Sequence, residues 1–190
     1  IVGGAVRDAL LGLPASDRRV VLTAVLGTQR VQSDPERTAD GVFAMWYGKG
    51  PGVDRAADAL KHGNAYGSSP LGGVLVVAGD DHGCVSSSMP HQSDITMQAW
   101  SMPIVAPANV AEYLEFGLYG WALSRYSGNW VAMTALSEVA ESGATVDLDA
   151  IHAQVQAWQG PEAVCEATGH VPPADGLHYR WPDLPSLRIE

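Results

Sequence analysis

Cysteine is scarce: Cys84 and Cys165 are the only two in 190 residues. Two thiols this far apart neither hold a four-thiolate iron–sulfur cluster alone nor build a disulfide scaffold, so a reducing cytosol is the expected compartment. Positive charge is scarce as well, with 11 Lys and Arg against 21 Asp and Glu and a net charge of -10. A nucleic-acid surface needs clustered cations, so nucleic acid is not an expected partner. No apolar run approaches the roughly 20 residues that span a bilayer, and the first residues lack the basic n-region of a signal peptide. The expected protein is cytoplasmic and has no membrane partner. It begins at Ile1 without an initiator Met, which reads as a processed chain or a piece of a longer one.

Apolar residues make up 46% of the chain and charged ones 17%, enough for one folded domain with a full core. The chain is organised around residues 41–83, GVFAMWYGKGPGVDRAADALKHGNAYGSSPLGGVLVVAGDDHG. Two apolar runs, 42–47 and 73–78, have strand length and composition. Each spills into a Gly-rich polar stretch, and 53–62 between them has helical periodicity, with Gly63-Asn64 as its stop. This is the pattern of a βαβ unit. In open parallel sheets ligands sit beyond the carboxyl ends of the strands, so residues 48–55 and 79–92 are expected side by side on one rim.

Along the rest of the chain, 5–11 reads as an amphipathic helix stopped by Pro14, 22–31 as a helix packed by one face, and 33–40 as a surface turn. Gly48-Lys49-Gly50-Pro51-Gly52 reads as a loop whose glycines permit positive φ and close approach of a ligand. An ordinary strand-to-helix turn explains it equally well, since no Walker or dinucleotide fingerprint is present. Residues 95–101 read as a short helix, 102–107 as a third short strand, and Asn109 as the cap of a long helix. Residues 124–128 read as a break or rim loop, 130–141 as a further helix, 145–148 as a last strand and 149–158 as a last helix. The tail from 160 onward is Pro-rich and reads as an irregular arm. Three segments follow: 1–21, an α/β domain over 22–158, and an arm over 159–190.

Two resemblances concern the head. Its IVGG resembles the start of mature trypsin-like proteases, but no GDSGG or disulfide set accompanies it. VGGAVRDALLGLP is similar to the head of tRNA nucleotidyltransferases and poly(A) polymerases, with Gly3, Gly4, Arg7 and Asp8 matching. That family places an Asp-x-Asp metal pair shortly afterwards. Here Asp17-Arg18-Arg19 stands there, and a cation cannot ligate magnesium.

A longer resemblance begins near Leu22. TAVLGTQ, GVFAMWYGKGPGVDR, ALKHGNAYGSSPLGGVLVVAGDDHG, SSSMPHQSD, GLYGWALSRYSGNW and GLHYRWPD run in the same order as in thiamine pyrophosphate-dependent indolepyruvate ferredoxin oxidoreductases. These are members of the 2-oxoacid ferredoxin oxidoreductase family. The resemblance implies a pyrimidine-binding thiamine module, a parallel sheet flanked by helices. It implies a cofactor, thiamine diphosphate with Mg, shared with a separate diphosphate-binding module; iron–sulfur clusters and CoA belong to the complete enzyme. The implied reaction is oxidative decarboxylation of an aryl 2-oxoacid to an acyl-CoA, with electrons passing to ferredoxin. Remaining domains or subunits of the oxidoreductase are the implied partners, and a homodimer is left open.

On this resemblance Lys49, Gly50, Pro51, Gly52 and Asp54 border the cofactor. Asp80, Asp81, His82, Ser87, His91 and Gln92 lie on the substrate side, with His82 as candidate proton donor. Gly79-Asp80 and Asn109 imitate a magnesium-diphosphate spacing of other thiamine modules, but Asp81 stands where a second Gly belongs, so no metal ligand is assigned. The family's activating glutamate aligns with Arg18, which cannot accept the ring's hydrogen bond. The chain therefore reads as a fragment with no turnover alone. A non-catalytic assembly or binding module is the alternative, and a nucleotidyltransferase remnant a third.

Overall fold

A computed structural model describes residues 24–157; the head over 1–21 and the arm over 159–190 lie outside the described residues. Within them, four strands form one parallel sheet in the order β1-β2-β4-β3. They are β1 (Ala44–Lys49), β2 (Val74–Asp80), β3 (Ile104–Val105) and β4 (Val131–Leu136). The helices are α1 (Gly50–Tyr66), α2 (Asp94–Ala99), α3 (Val110–Ser127), α4 (Ser137–Ala140) and α5 (Leu148–Ala157). The expected α/β class with a parallel, helix-flanked sheet is what the chain forms.

The layers follow from the two-residue period of a strand. Val74, Val76 and Ala78 of β2 and Ala132 of β4 face one way and pack with Val53, Ala56, Ala59 and Leu60 of α1. Leu75, Val77, Val131 and Met133 face the other way, where Tyr113, Phe116, Trp121 and Leu123 of α3 cover them. A strand covered on both faces reads as an unbroken apolar run, as GVLVVA does. Edge strand β1 is covered on one face only: Ala44 and Trp46 are buried while Met45 and Tyr47 are exposed, as is Phe43 just before the strand.

Buried polar side chains fasten the layers. Asn64 on α1 donates to the carbonyl of Trp100 (2.9 Å) and accepts from the backbone N–H of Trp130 (2.9 Å). Gln29 accepts from the N–H groups of Ser69 (3.0 Å) and Gly73 (2.9 Å) and donates to the carbonyl of Val42 (3.1 Å). Both satisfy backbone groups that would otherwise be buried without a partner.

Several expected elements are corrected. Residues 130–141 are not a helix: β4 occupies 131–136 and sits between β2 and β3. Residues 145–148 form no strand. The expected helix over 22–31 is present but shorter in the described part: a short α-helix at Leu26–Thr28, with a 3-10 turn at Val31–Ser33 after it. The stretch 124–128 is no break, because α3 runs through Ser127 and ends at Gly128 with φ 74°. The stretch 48–52 is no loop either. β1 continues to Lys49, and α1 begins at Gly50 with Pro51 in its first turn, where a missing N–H costs nothing. Nor does Gly63-Asn64 end α1; Gly67, with φ 82°, does.

Candidate functional site

Parallel pairing of β1 with β2 places Lys49 opposite Gly79, so both strand ends open on one rim. Beyond β2 the chain makes a loop over residues 81–91 and closes it on itself: the N–H of His91 donates to the carbonyl of Asp81 (3.0 Å). Inside that loop the Asp81 carboxylate accepts from the N–H groups of Val85 and Ser86, each at 2.8 Å. The Ser86 N–H does most to pull the Asp81 carboxyl down to about 2 from 3.8; burial works against it, and the Val85 N–H and the Lys49 charge reinforce it. Ser87 Oγ is buried close to this anion without the geometry of a hydrogen bond.

The neighbouring Asp80 faces the core and is nearly inaccessible. Its two oxygens accept from the N–H and the hydroxyl of Ser93, both at 2.7 Å, which fixes the far end of the loop at the start of α2. Both carboxylates therefore fasten the loop's own backbone. Sequence spacing places them beyond a strand but says nothing of where their acceptors go.

Two links join this loop to β1 and α1. Lys49 Nζ donates to the carbonyl (2.7 Å) and hydroxyl (2.9 Å) of Ser86 and lies 3.9 Å from Asp81. His91 Nε2 lies 3.0 Å from an Asp54 carboxylate oxygen, and its Nδ1 lies 3.8 Å from Asp80 without a hydrogen bond. The His91 ring rests on Gly50, where a Cβ would collide with Cγ, Nδ1 and Cδ2. This close approach, rather than positive φ, is what Gly50 provides; Gly52 has open space beside it.

Lys49, Gly50, Asp54, Asp80, Asp81 and His91 are thus brought together. Ser87 lies beside Asp81. The remaining four expected residues stand outside that network: Pro51 is exposed, Gly52 has open space beside it, His82 is exposed and held by no hydrogen bond among the described residues, and Gln92 is exposed and donates to Asp94 (3.2 Å). Ser86 and Ser93 belong to the rim without having been assigned a role; the run SSSMPHQSD offered their residue types but not their partners.

The electrostatics give a directional expectation. Because the Asp81 carboxyl is depressed on folding, the stability it adds is present above about pH 3.8 and is lost as pH falls towards 2. Denaturation midpoints measured across that window should fall for the wild type and fall less for Asp81→Asn. Superimposable acid limbs would show that Asp81 does not hold the loop.

Magnesium needs free oxygen ligands, yet the acceptors of Asp80 and Asp81 and the ammonium of Lys49 are engaged. Among the described residues no group of three or more His, Cys, Asp or Glu could hold a metal ion. Asn109, the imitator of a metal ligand, caps α3 by accepting from the Glu112 N–H (3.1 Å) and donating to its carboxylate (2.9 Å). On the described rim these groups serve the protein's own hydrogen bonds first, and they offer no ready-made seat for the diphosphate and metal.

No described helix is long and apolar enough to cross a membrane. A hollow of about 410 Å³ lined by Pro35, Arg37, Thr38, Ala39 and Asp40 lies on a surface turn. Comparison of the chain with protein-family models, with curated proteins and with solved structures finds no match.

Proposed function

We propose that this chain supplies one lip of a thiamine diphosphate cleft in a 2-oxoacid ferredoxin oxidoreductase of the indolepyruvate kind. The opposite lip, with the diphosphate and metal site, belongs to another module. One juxtaposition supports this reading: residues of the stretch 48–55 reach residues of the stretch 79–92 through Lys49 with Ser86 and Asp54 with His91. The resemblance assigns those two stretches to the cofactor and substrate borders. The lip's part is to position and to exclude water, since the cofactor itself supplies the electron sink for decarboxylation. Thiamine modules of this kind use an activating glutamate, and Arg18 stands at its place, so the chain alone has no turnover.

A second reading, a non-catalytic assembly or binding module, is favoured by the engaged Asp80 and Asp81 and by the exposed Phe43, Met45 and Tyr47 along β1. Such a row of apolar side chains on one sheet face suits a macromolecular partner. Titration calorimetry separates the two. Thiamine diphosphate and magnesium are injected into the chain mixed with a diphosphate-binding module of a 2-oxoacid oxidoreductase, and into each component alone. The cleft reading expects cofactor-dependent heat beyond the sum of the separate runs. Heat equal to that sum overturns it and leaves the binding module.

A further inference from the structure

We propose that His91 is a pH-sensitive latch that holds the rim loop of residues 81–91 closed when its ring carries a second proton. Three elements meet on this one side chain. Its backbone N–H closes the loop on Asp81, its ring packs on Gly50 at the start of α1, and its two nitrogens are turned towards carboxylates on different elements. Nε2 addresses Asp54 of α1; Nδ1 is buried, lacks a hydrogen bond and addresses Asp80 of β2. The ring is 15% exposed, so solvent reaches it only in part.

A neutral imidazole has one N–H to offer. Whichever carboxylate receives it, the other nitrogen presents a lone pair towards an anion. Asp80 cannot turn away to relieve this, because both its oxygens are fastened by Ser93. An imidazolium presents an N–H to each side and removes the conflict. The other charges near the ring do not reverse the sign. The Asp81 carboxylate is turned into the loop on Val85 and Ser86, and the Lys49 ammonium, arriving from β1, is engaged by Ser86. The carboxylates of Asp54 and Asp80 lie within 4 Å of the ring nitrogens.

Acidification that adds this proton tightens the closure, and the loop that carries the exposed Val85 and Met89 opens more often on the alkaline side. The inference does not depend on the thiamine reading, because it concerns only how this chain holds its own rim.

Amide hydrogen exchange of the full 190-residue chain tests it, with each rate divided by the intrinsic rate at that pH. Protection of residues 83–90 should rise about threefold between pH 8 and pH 5.5, the size of effect expected of a partly exposed ion pair. Protection of β2 should not change. Asp54→Asn removes one of the facing charges at a surface that is 63% exposed and should abolish most of the rise without unfolding the chain; His91→Gln should abolish all of it. Constant loop protection across the range, the same rise in both variants, or a rise shared equally by β2 would each overturn the latch.

Discussion

Trp130→Ala should lower the unfolding free energy by about 3–5 kcal/mol, the range for removing a fully buried aromatic side chain. Trp130 is 0% exposed and stands at the entry to β4. Its indole N–H donates to the carbonyl of Gly67 (3.1 Å), the residue that ends α1, and its ring fills the space beside Gly63. Its backbone N–H is the group that Asn64 holds. The substitution therefore empties a cavity and loses a tie between α1 and the strand that joins β2 to β3. Natural domains carry about 5–15 kcal/mol in total, so a chain near the lower end would be largely unfolded at room temperature. Urea denaturation followed by far-ultraviolet circular dichroism measures it. A loss below about 1 kcal/mol would mean that β4 is not anchored this way.

Gly50→Ala and Gly52→Ala, two residues apart in the first turn of α1, should move in opposite directions. Alanine for glycine in a helix ordinarily stabilises by about 0.4–1 kcal/mol, because the unfolded chain has less freedom to lose. At Gly52 a Cβ meets open space, so this gain should appear in full. At Gly50 the Cβ would enter the His91 ring at its base, where rotation about χ2 gives no relief. Either the ring leaves, breaking its contact with Asp54 and exposing the loop, or the helix start shifts. Overpacking of this kind costs about 1–3 kcal/mol, which outweighs the gain. Urea midpoints should fall for Gly50→Ala and rise slightly for Gly52→Ala, and limited proteolysis should cut residues 81–91 faster only in the former. Equal behaviour of the two variants would contradict the packing of His91 on Gly50.

These residues also mark what the sequence could and could not show. Residues 73–78 are β-branched and aliphatic without interruption, and a parallel strand covered on both faces has that signature. Asn109 followed by Glu112 announces the start of α3. The run 131–136, VAMTAL, is just as continuous, but its Ala, Met and Leu favour helices, and a strand buried on both faces shows no period to correct that impression. The neighbours β2 and β3 decide its conformation, and they are far away in sequence. In GKGPG the glycines suggest a loop open to a ligand, while the strand-to-helix turn left open beside it is what forms, with Pro51 in the first turn of α1 as the better cue.

The rim divides in the same way. Topology brings residues 48–55 beside residues 79–92, and that much is legible once two strands and a helix are recognised. The contacts that govern its chemistry are not. Asp54 meets His91 across 37 positions, and Asp80 is taken by a serine 13 positions on. The resemblance placed Asp54 beside the cofactor and Asp80, Asp81 and His91 beside a substrate; in the folded chain Asp54 meets His91, and Asp80 and Asp81 are held by Ser93, Val85 and Ser86.

Exchange mapping tests the location of the proposed lip most directly. Deuterium uptake is compared with and without thiamine diphosphate and magnesium, in the presence of the diphosphate-binding module. The account predicts cofactor-dependent slowing confined to residues 48–55 and 81–92. Slowing elsewhere, for example in the turn around Pro35 and Asp40, or unchanged uptake on the rim would contradict it.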